Sequence, residues 1–195
     1  PASLSKLMTA FIVFEEMHNG NLLETDLVRI SEKAWKTEGS RMFVKVNSKV
    51  SVEDLIKGLI VQSGNDAAVA LAEHIAGSEE GFSELMNQSA KKLGLNGSQF
   101  RNSTGLPHEE HFSTARDLTE LTRVLIDRFP EKYQLYSIKS FTYNKINQPN
   151  RNLLLWRDDA VDGVKTGHTK SAGYCLVGSA EKQGMRLIAT VMGTD

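Results

Sequence analysis

Ser3-Leu4-Ser5-Lys6 sets a hydroxyl and an amine three residues apart, and on a helix that spacing brings both to one side, a single turn apart. A serine hydroxyl is a weak nucleophile at neutral pH and needs an adjacent base. A lysine can be that base only after its amine has lost its proton. Desolvation disfavours the ammonium form. Lys6 is the one charged side chain between Pro1 and Glu15, in a run containing Leu4, Leu7, Met8, Ala10, Phe11, Ile12, Val13 and Phe14. The chemistry predicted is attack by Ser3 on an acyl group, with Lys6 taking the proton.

The spacing by itself is unspecific. Ser-x-x-Lys recurs at Ser89 to Lys92, on a polar helical stretch, and at Ser179 to Lys182, near a turn. Nothing apolar surrounds those lysines, so both copies are expected on solvated surface. What singles out Ser3 is the company of two further motifs in chain order, Ser63-Gly64-Asn65 and Lys165-Thr166-Gly167-His168. Standing alone, Ser63 and Asn65 read as helix caps. Beside Ser3 and Lys165 they read as parts of one site.

Those residues need elements to hold them. The segment Ser3 to Met17 is apolar on nearly every face, the mark of a helix buried all round. Ser51-Val52-Glu53-Asp54 has the form of a capping box and opens a helix to about Ile60. Further helices are predicted over Asn65 to Ala76, ended by Gly77; over Ser78 to Leu93, ended by Gly94; and over Thr114 to Arg128, stopped by Pro130. From Ser140 the pattern turns to β-formers with period two, at Phe141 to Tyr143, Gly163 to Thr166, Tyr174 to Ala180 and Arg186 to Met192. Lys182-Gln183-Gly184 fits the turn of an antiparallel hairpin. The expected fold class is α+β, a mostly antiparallel sheet with a helical cluster packed on it.

At 195 residues the chain suits one domain, 1–195, with one well-buried core. With 23 basic against 24 acidic residues, no basic field is available for nucleic acid or an anionic membrane. The single Cys175 forms no internal disulfide and says nothing of the redox compartment. No apolar run reaches the length of a membrane span. His18 and His74 fall on helices without a second ligand at metal spacing, so no metal and no cofactor are expected.

Taken together, the motifs form the set Ser-x-x-Lys, Ser-x-Asn and Lys-Thr-Gly of serine β-lactamases and penicillin-binding proteins. The stretches Pro1 to Thr9, Gln62 to Ala67, Asn150 to Trp156 and Val161 to Thr169 resemble the D-alanyl-D-alanine carboxypeptidases of the penicillin-binding protein five type. That resemblance implies a β-lactamase/transpeptidase-like fold. It implies an enzyme that removes the terminal D-alanine from the pentapeptide stem of peptidoglycan and is acylated by β-lactam antibiotics. It also implies a periplasmic setting, anchored on the outer face of the inner membrane through segments outside this chain. Relative to the family, strands before the nucleophile's helix and sheet and helix beyond the last strand are expected to be missing here.

Carried over residue by residue, the resemblance makes Ser3 the nucleophile, Lys6 its base and Ser63 a proton relay toward the departing D-alanine, helped by the charge of Lys165. Asn65 would hold the substrate's peptide amide, and Thr166 with Gly167 and His168 its terminal carboxylate end. The backbone N–H groups of Ser3 and His168 would form the oxyanion hole, where a donor contributes about 3 to 4 kcal/mol. Ser40, after Gly39 in a loop, matches a cleft-lining position. Arg151 either binds substrate or pairs with Asp158 or Asp162. Where relatives place a histidine, this chain has Thr104; His108 and His111, a few residues on, are expected on a surface loop.

Other readings share the motifs. A serine β-lactamase needs a deacylating glutamate in a loop with an asparagine four residues on. Only Glu15 to Asn19 has that spacing, at a helix end. A D,D-endopeptidase would use the same catalytic groups on another bond, and a silent wall-binding module would keep the cleft without turnover.

Overall fold

The apolar run near the start forms the axis of the fold. In the computed structural model, which describes residues 1–195, a 3₁₀ turn at Ala2–Ser5 leads into α1 (Lys6–His18). Every side chain from Lys6 to Phe14 is buried, because α1 is enclosed by α3 (Val52–Val61), α4 (Asn65–Ala76), α5 (Glu79–Lys92) and α6 (Ala115–Arg128). The expected helix from Ser3 therefore begins one turn later. Ser3 itself lies in the tighter turn.

The helix ends follow local chemistry. Ser51, Ser78 and Thr114 cap α3, α5 and α6, each side-chain oxygen accepting the N–H three residues on, from Asp54, Gly81 and Asp117. Gly77 ends α4 in the left-handed region. α6 ends at Arg128 as expected, and Pro130 opens the short α7 (Pro130–Tyr133), where its missing N–H costs nothing. A further short helix, α2 (Glu32–Lys36), is capped by Ser31.

Three antiparallel sheets are present. Two are small hairpin-like pairs, β1 (Leu27–Arg29) with β2 (Lys49–Ser51) and β3 (Ser140–Tyr143) with β4 (Ile146–Pro149). β1, β2 and β4 were not expected, since such short polar strands carry no usable alternation. The main sheet has the order β5-β6-β7, from β5 (Val161–Thr169), β6 (Gly173–Lys182) and β7 (Met185–Thr194). All three strands run longer than the sequence pattern indicates. Gln183 and Gly184, at φ 53° and 76°, make the predicted two-residue turn, with Lys182 facing Met185 in register.

One side of the sheet rests on the helices, through buried Cys175 and Val177. The outer edge of β5 runs along the 3₁₀ turn that carries Ser3. This α+β arrangement is the expected fold class.

Of the two extra Ser-x-x-Lys copies, Ser89 is half-buried and its Lys92 exposed. Ser179 departs from expectation: it is buried, accepting a 2.8 Å hydrogen bond from Arg186. Pairing in the middle strand puts it under that arginine, which a linear reading cannot show.

Candidate active site

The nucleophile turn is held by tight packing of glycine backbone. A Cβ on Gly105, whose φ is +83°, would fall 1.8 Å from the carbonyl oxygen of Ala2; one on Gly167 would fall 3.0 Å from the Ser3 nitrogen. A side chain at Gly105 would have to displace the turn, and one at Gly167 would press on it. The first N–H groups of a helical turn have no intrahelical acceptor, so that of Ser3 has none within its own turn. β5 is an edge strand, and alternate N–H groups on its outer side, the side of His168 and Gly167 nearest the turn, have no strand partner.

Lys6 is 1% exposed and bonded to no carboxylate. Its Nζ reaches Ser3 Oγ at 3.1 Å, Asn65 Oδ1 at 2.7 Å and the Thr104 carbonyl at 2.6 Å. Burial holds its pKa far below the ordinary lysine value, and the positive charge of Lys165 and then of Arg151 pushes the same way, with only Asp66 opposing. A neutral amine has two N–H donors and one lone pair. Asn65 and Thr104 offer only acceptors to it, so they take both donors and leave the lone pair facing the Ser3 hydroxyl.

Ser63 sits between α3 and α4 with φ 62°, a left-handed conformation that a non-glycine residue adopts at a cost. The bend aims its hydroxyl at Lys165, whose Nζ donates to it at 2.9 Å and to the Thr166 carbonyl at 3.0 Å. Lys165 is 3% exposed. Burial, and then Arg151, bring its pKa down to about 7.

Asn65 opens α4. Its N–H donates to the Ser40 carbonyl at 2.7 Å and its Nδ2 to the Glu38 carbonyl at 2.5 Å. Asp66, next along, is buried and accepts the N–H groups of Met42, Phe43 and Val44 at 3.0, 2.9 and 3.2 Å. The loop bearing Ser40 is thereby fastened to the helix bearing Asn65.

A cleft of about 780 Å³ opens over these groups. Ser3, Ser40, Ser63, Thr166, Gly167 and His168 line it together with Arg151 and Arg157, and no acidic side chain does. All the predicted site residues therefore converge on one place; Lys6, Asn65 and Lys165 lie just beneath its floor. The ion-pair reading of Arg151 fails: Asp162 is taken by Arg186 at 2.7 Å, and Asp158 accepts the Ala160 N–H. His168 stacks against Tyr174 at 4.2 Å between ring centroids. No group of three His, Cys, Asp or Glu side chains is gathered to hold a metal.

Sequence reasoning missed three contributors. The Thr104 carbonyl is a backbone atom and leaves no trace in residue type. Asp66 had a signal, an acid beside four apolar residues from Ala67 to Ala70. His111, expected on the surface, is 9% exposed and bonded to Ser5 at 2.7 Å, because the loop bearing it folds back over the nucleophile turn. His108 is exposed, as expected.

Known proteins agree with this architecture. The family described as D-alanyl-D-alanine carboxypeptidase matches residues 1–195. The D-alanyl-D-alanine carboxypeptidase DacC of Escherichia coli is 49% identical over 99% of this chain and 50% of its own length; the chain thus spans half of that relative. Penicillin binding protein 5 from Haemophilus influenzae superposes with a TM-score of 0.96 at 48% identity, over 99% of this chain and 58% of that one. Penicillin-Binding Protein D2 from Listeria monocytogenes, in its ampicillin-bound form, superposes with a TM-score of 0.88 at 34% identity, over 99% of this chain and 79% of that one.

Proposed function

The chain belongs to the D-alanyl-D-alanine carboxypeptidase family, and on that premise we propose that it is the catalytic part of a serine peptidase that removes the terminal D-alanine from peptidoglycan stem peptides. The observation that carries the reading is the buried Lys6 amine, 3.1 Å from Ser3 Oγ and otherwise bonded only to carbonyl oxygens.

In this reading Lys6 takes the proton as Ser3 Oγ bonds to the carbonyl carbon of the penultimate D-alanine. The oxyanion formed is held by the N–H groups of Ser3 and His168, donors aimed in advance at the charge that develops. The C–N bond then breaks, and the departing amine receives a proton through Ser63 from the Lys165 side. Water next attacks the acyl-Ser3 ester and releases the shortened stem; Ser3 Oγ regains the proton held on Lys6, and the proton shed by the water restores Lys165. Thr166 and Arg151 suit the terminal carboxylate, since both face the cleft and neither has an acidic partner. We propose a periplasmic setting as well, since that is where such a substrate would be met.

A β-lactam presents the same kind of carbonyl to Ser3. With no carboxylate lining the cleft, nothing is placed to activate water as a β-lactamase requires, so the penicilloyl ester is expected to be long-lived. Incubation with benzylpenicillin and mass mapping tests the reading. One adduct on the Ser3 peptide, absent from Ser3→Ala and Lys6→Ala, supports it; labelling that survives Ser3→Ala refutes it. Many rapid turnovers of the antibiotic would favour the β-lactamase instead.

A further inference from the structure

A hydroxyl and an imidazole meet beside the nucleophile and have no part in the steps above. Ser5 Oγ and His111 Nε2 are 2.7 Å apart in the interior, across 106 positions. On the other side of the ring, Nδ1 accepts the backbone N–H of Arg101 at 3.3 Å. That contact decides the tautomer: Nδ1 carries a lone pair, so the proton is on Nε2 and is donated to Ser5. A general base must accept from the hydroxyl it activates. The pair is therefore no second nucleophilic dyad.

What the bond joins is more informative. The loop bearing His111 is closed at its base by two backbone hydrogen bonds between Gln99 and Phe112, at 2.8 and 3.0 Å. Within it, Asn102 Oδ1 accepts from the Thr104 N–H and hydroxyl and from the Gly105 N–H, at 3.3, 3.1 and 2.8 Å. The Ser103 hydroxyl donates to Glu79 at 2.9 Å, and its carbonyl accepts from the Thr9 hydroxyl at 2.7 Å. The outcome is a rigid presentation of the Thr104 carbonyl to Lys6. His111 adds a side-chain link between this loop and the turn holding Ser3, since Ser5 lies between nucleophile and base. Burial lowers the ring's pKa to about 4, which keeps it neutral and the link intact near neutral pH.

We propose that His111 is a positioning residue for acylation: by donating to Ser5 it locks the Thr104 carbonyl and the nucleophile turn into one unit, so that the Lys6 lone pair stays aimed at Ser3. The proposal rests on the acyl-transfer reading above. A displacement of about an ångström at such a site costs on the order of a hundredfold in rate, so a fastening of this kind acts on the chemical step and leaves substrate affinity alone.

The test compares the unaltered chain with His111→Phe, His111→Gln and Ser5→Ala, each first shown to be folded by near-ultraviolet circular dichroism. Acylation by benzylpenicillin is timed by rapid quench, and D-alanine release from a pentapeptide gives kcat and KM separately. His111→Phe and Ser5→Ala are expected to acylate roughly tenfold more slowly or worse, with KM little changed. His111→Gln, which offers an acceptor and a donor at similar reach, is expected to recover most of the rate. Should His111→Phe fail to fold, Ser5→Ala still decides, because alanine is at home in a helical turn. Unaltered acylation by Ser5→Ala overturns the proposal, as does a glutamine variant no better than phenylalanine. If the unaltered chain forms no adduct, the acyl-transfer reading falls and the clamp with it; equal adduct rates in all four sink the clamp alone.

Discussion

The Ser63 hydroxyl accepts a 2.9 Å hydrogen bond from the Lys165 amine, joining a bent loop between two helices to the edge strand of the main sheet. Proton delivery to the leaving amine depends on that contact. Lys165→Ala is expected to lower kcat for D-alanine release by about 10²- to 10⁴-fold, the usual worth of a positioned acid–base group. A loss below about threefold would remove Lys165 and Ser63 from the relay.

The two lysines predict a bell-shaped pH profile. Lys165 repels charge on Lys6, so Lys6 sheds its proton first and is the neutral base while Lys165 remains charged. As pH rises through about 7, Lys165 discharges and the rate should fall. Lys165→Ala should lose this alkaline limb; its persistence would assign the limb elsewhere.

The same shift has a consequence for stability. An unfolded lysine holds its proton to about pH 10.4, whereas folded Lys165 releases it near about 7. Between those values the unfolded chain binds more protons, so stability rises with pH, by at most about 1.4 kcal/mol per unit per lysine. Below about 7 the cost of burying the charge is full and constant. Urea midpoints should therefore climb from pH 7 to 9, and the climb should become shallower in Lys165→Met, the remainder coming from Lys6, whose pKa burial also lowers. A flat dependence in the unaltered chain would contradict the buried, discharged lysine.

Asp66 holds three consecutive backbone N–H groups away from water. Asp66→Ala leaves them unpaired and is expected to cost about 1 to 3 kcal/mol. Hydrogen exchange should quicken first at Met42, Phe43 and Val44. Unchanged protection there would show that water replaces the carboxylate.

Gly105→Ala combines a strained φ with a Cβ 1.8 Å from the Ala2 carbonyl. Relief requires moving the turn that carries Ser3. Acylation by benzylpenicillin should drop sharply, along with a lower melting temperature. A variant of unaltered acylation rate would mean that the turn and the loop are not coupled there.

Much of this was legible in the linear order of residues. Acyl transfer by serine and lysine demands particular side chains at short spacing, so Ser3 with Lys6, Ser63 with Asn65, and Lys165 to His168 declare themselves as motifs. The buried helix was legible because an unbroken apolar run has no face to give to water, and the capped helices because Ser51, Ser78 and Thr114 answer a local need for an acceptor. The sheet's strand order, and the convergence of three motifs whose bonded members are 59 positions apart from first to second and 102 from second to third, belong to tertiary structure. So do the Thr104 carbonyl, which every residue type possesses equally, and the burial of His111, which depends on what folds over it. Residue identity determined which chemistry was available; the packing of the 102–111 loop and of β5 against the nucleophile turn decided where the lone pair of Lys6 points, because direction is a property of contacts across the fold and not of neighbours along the chain.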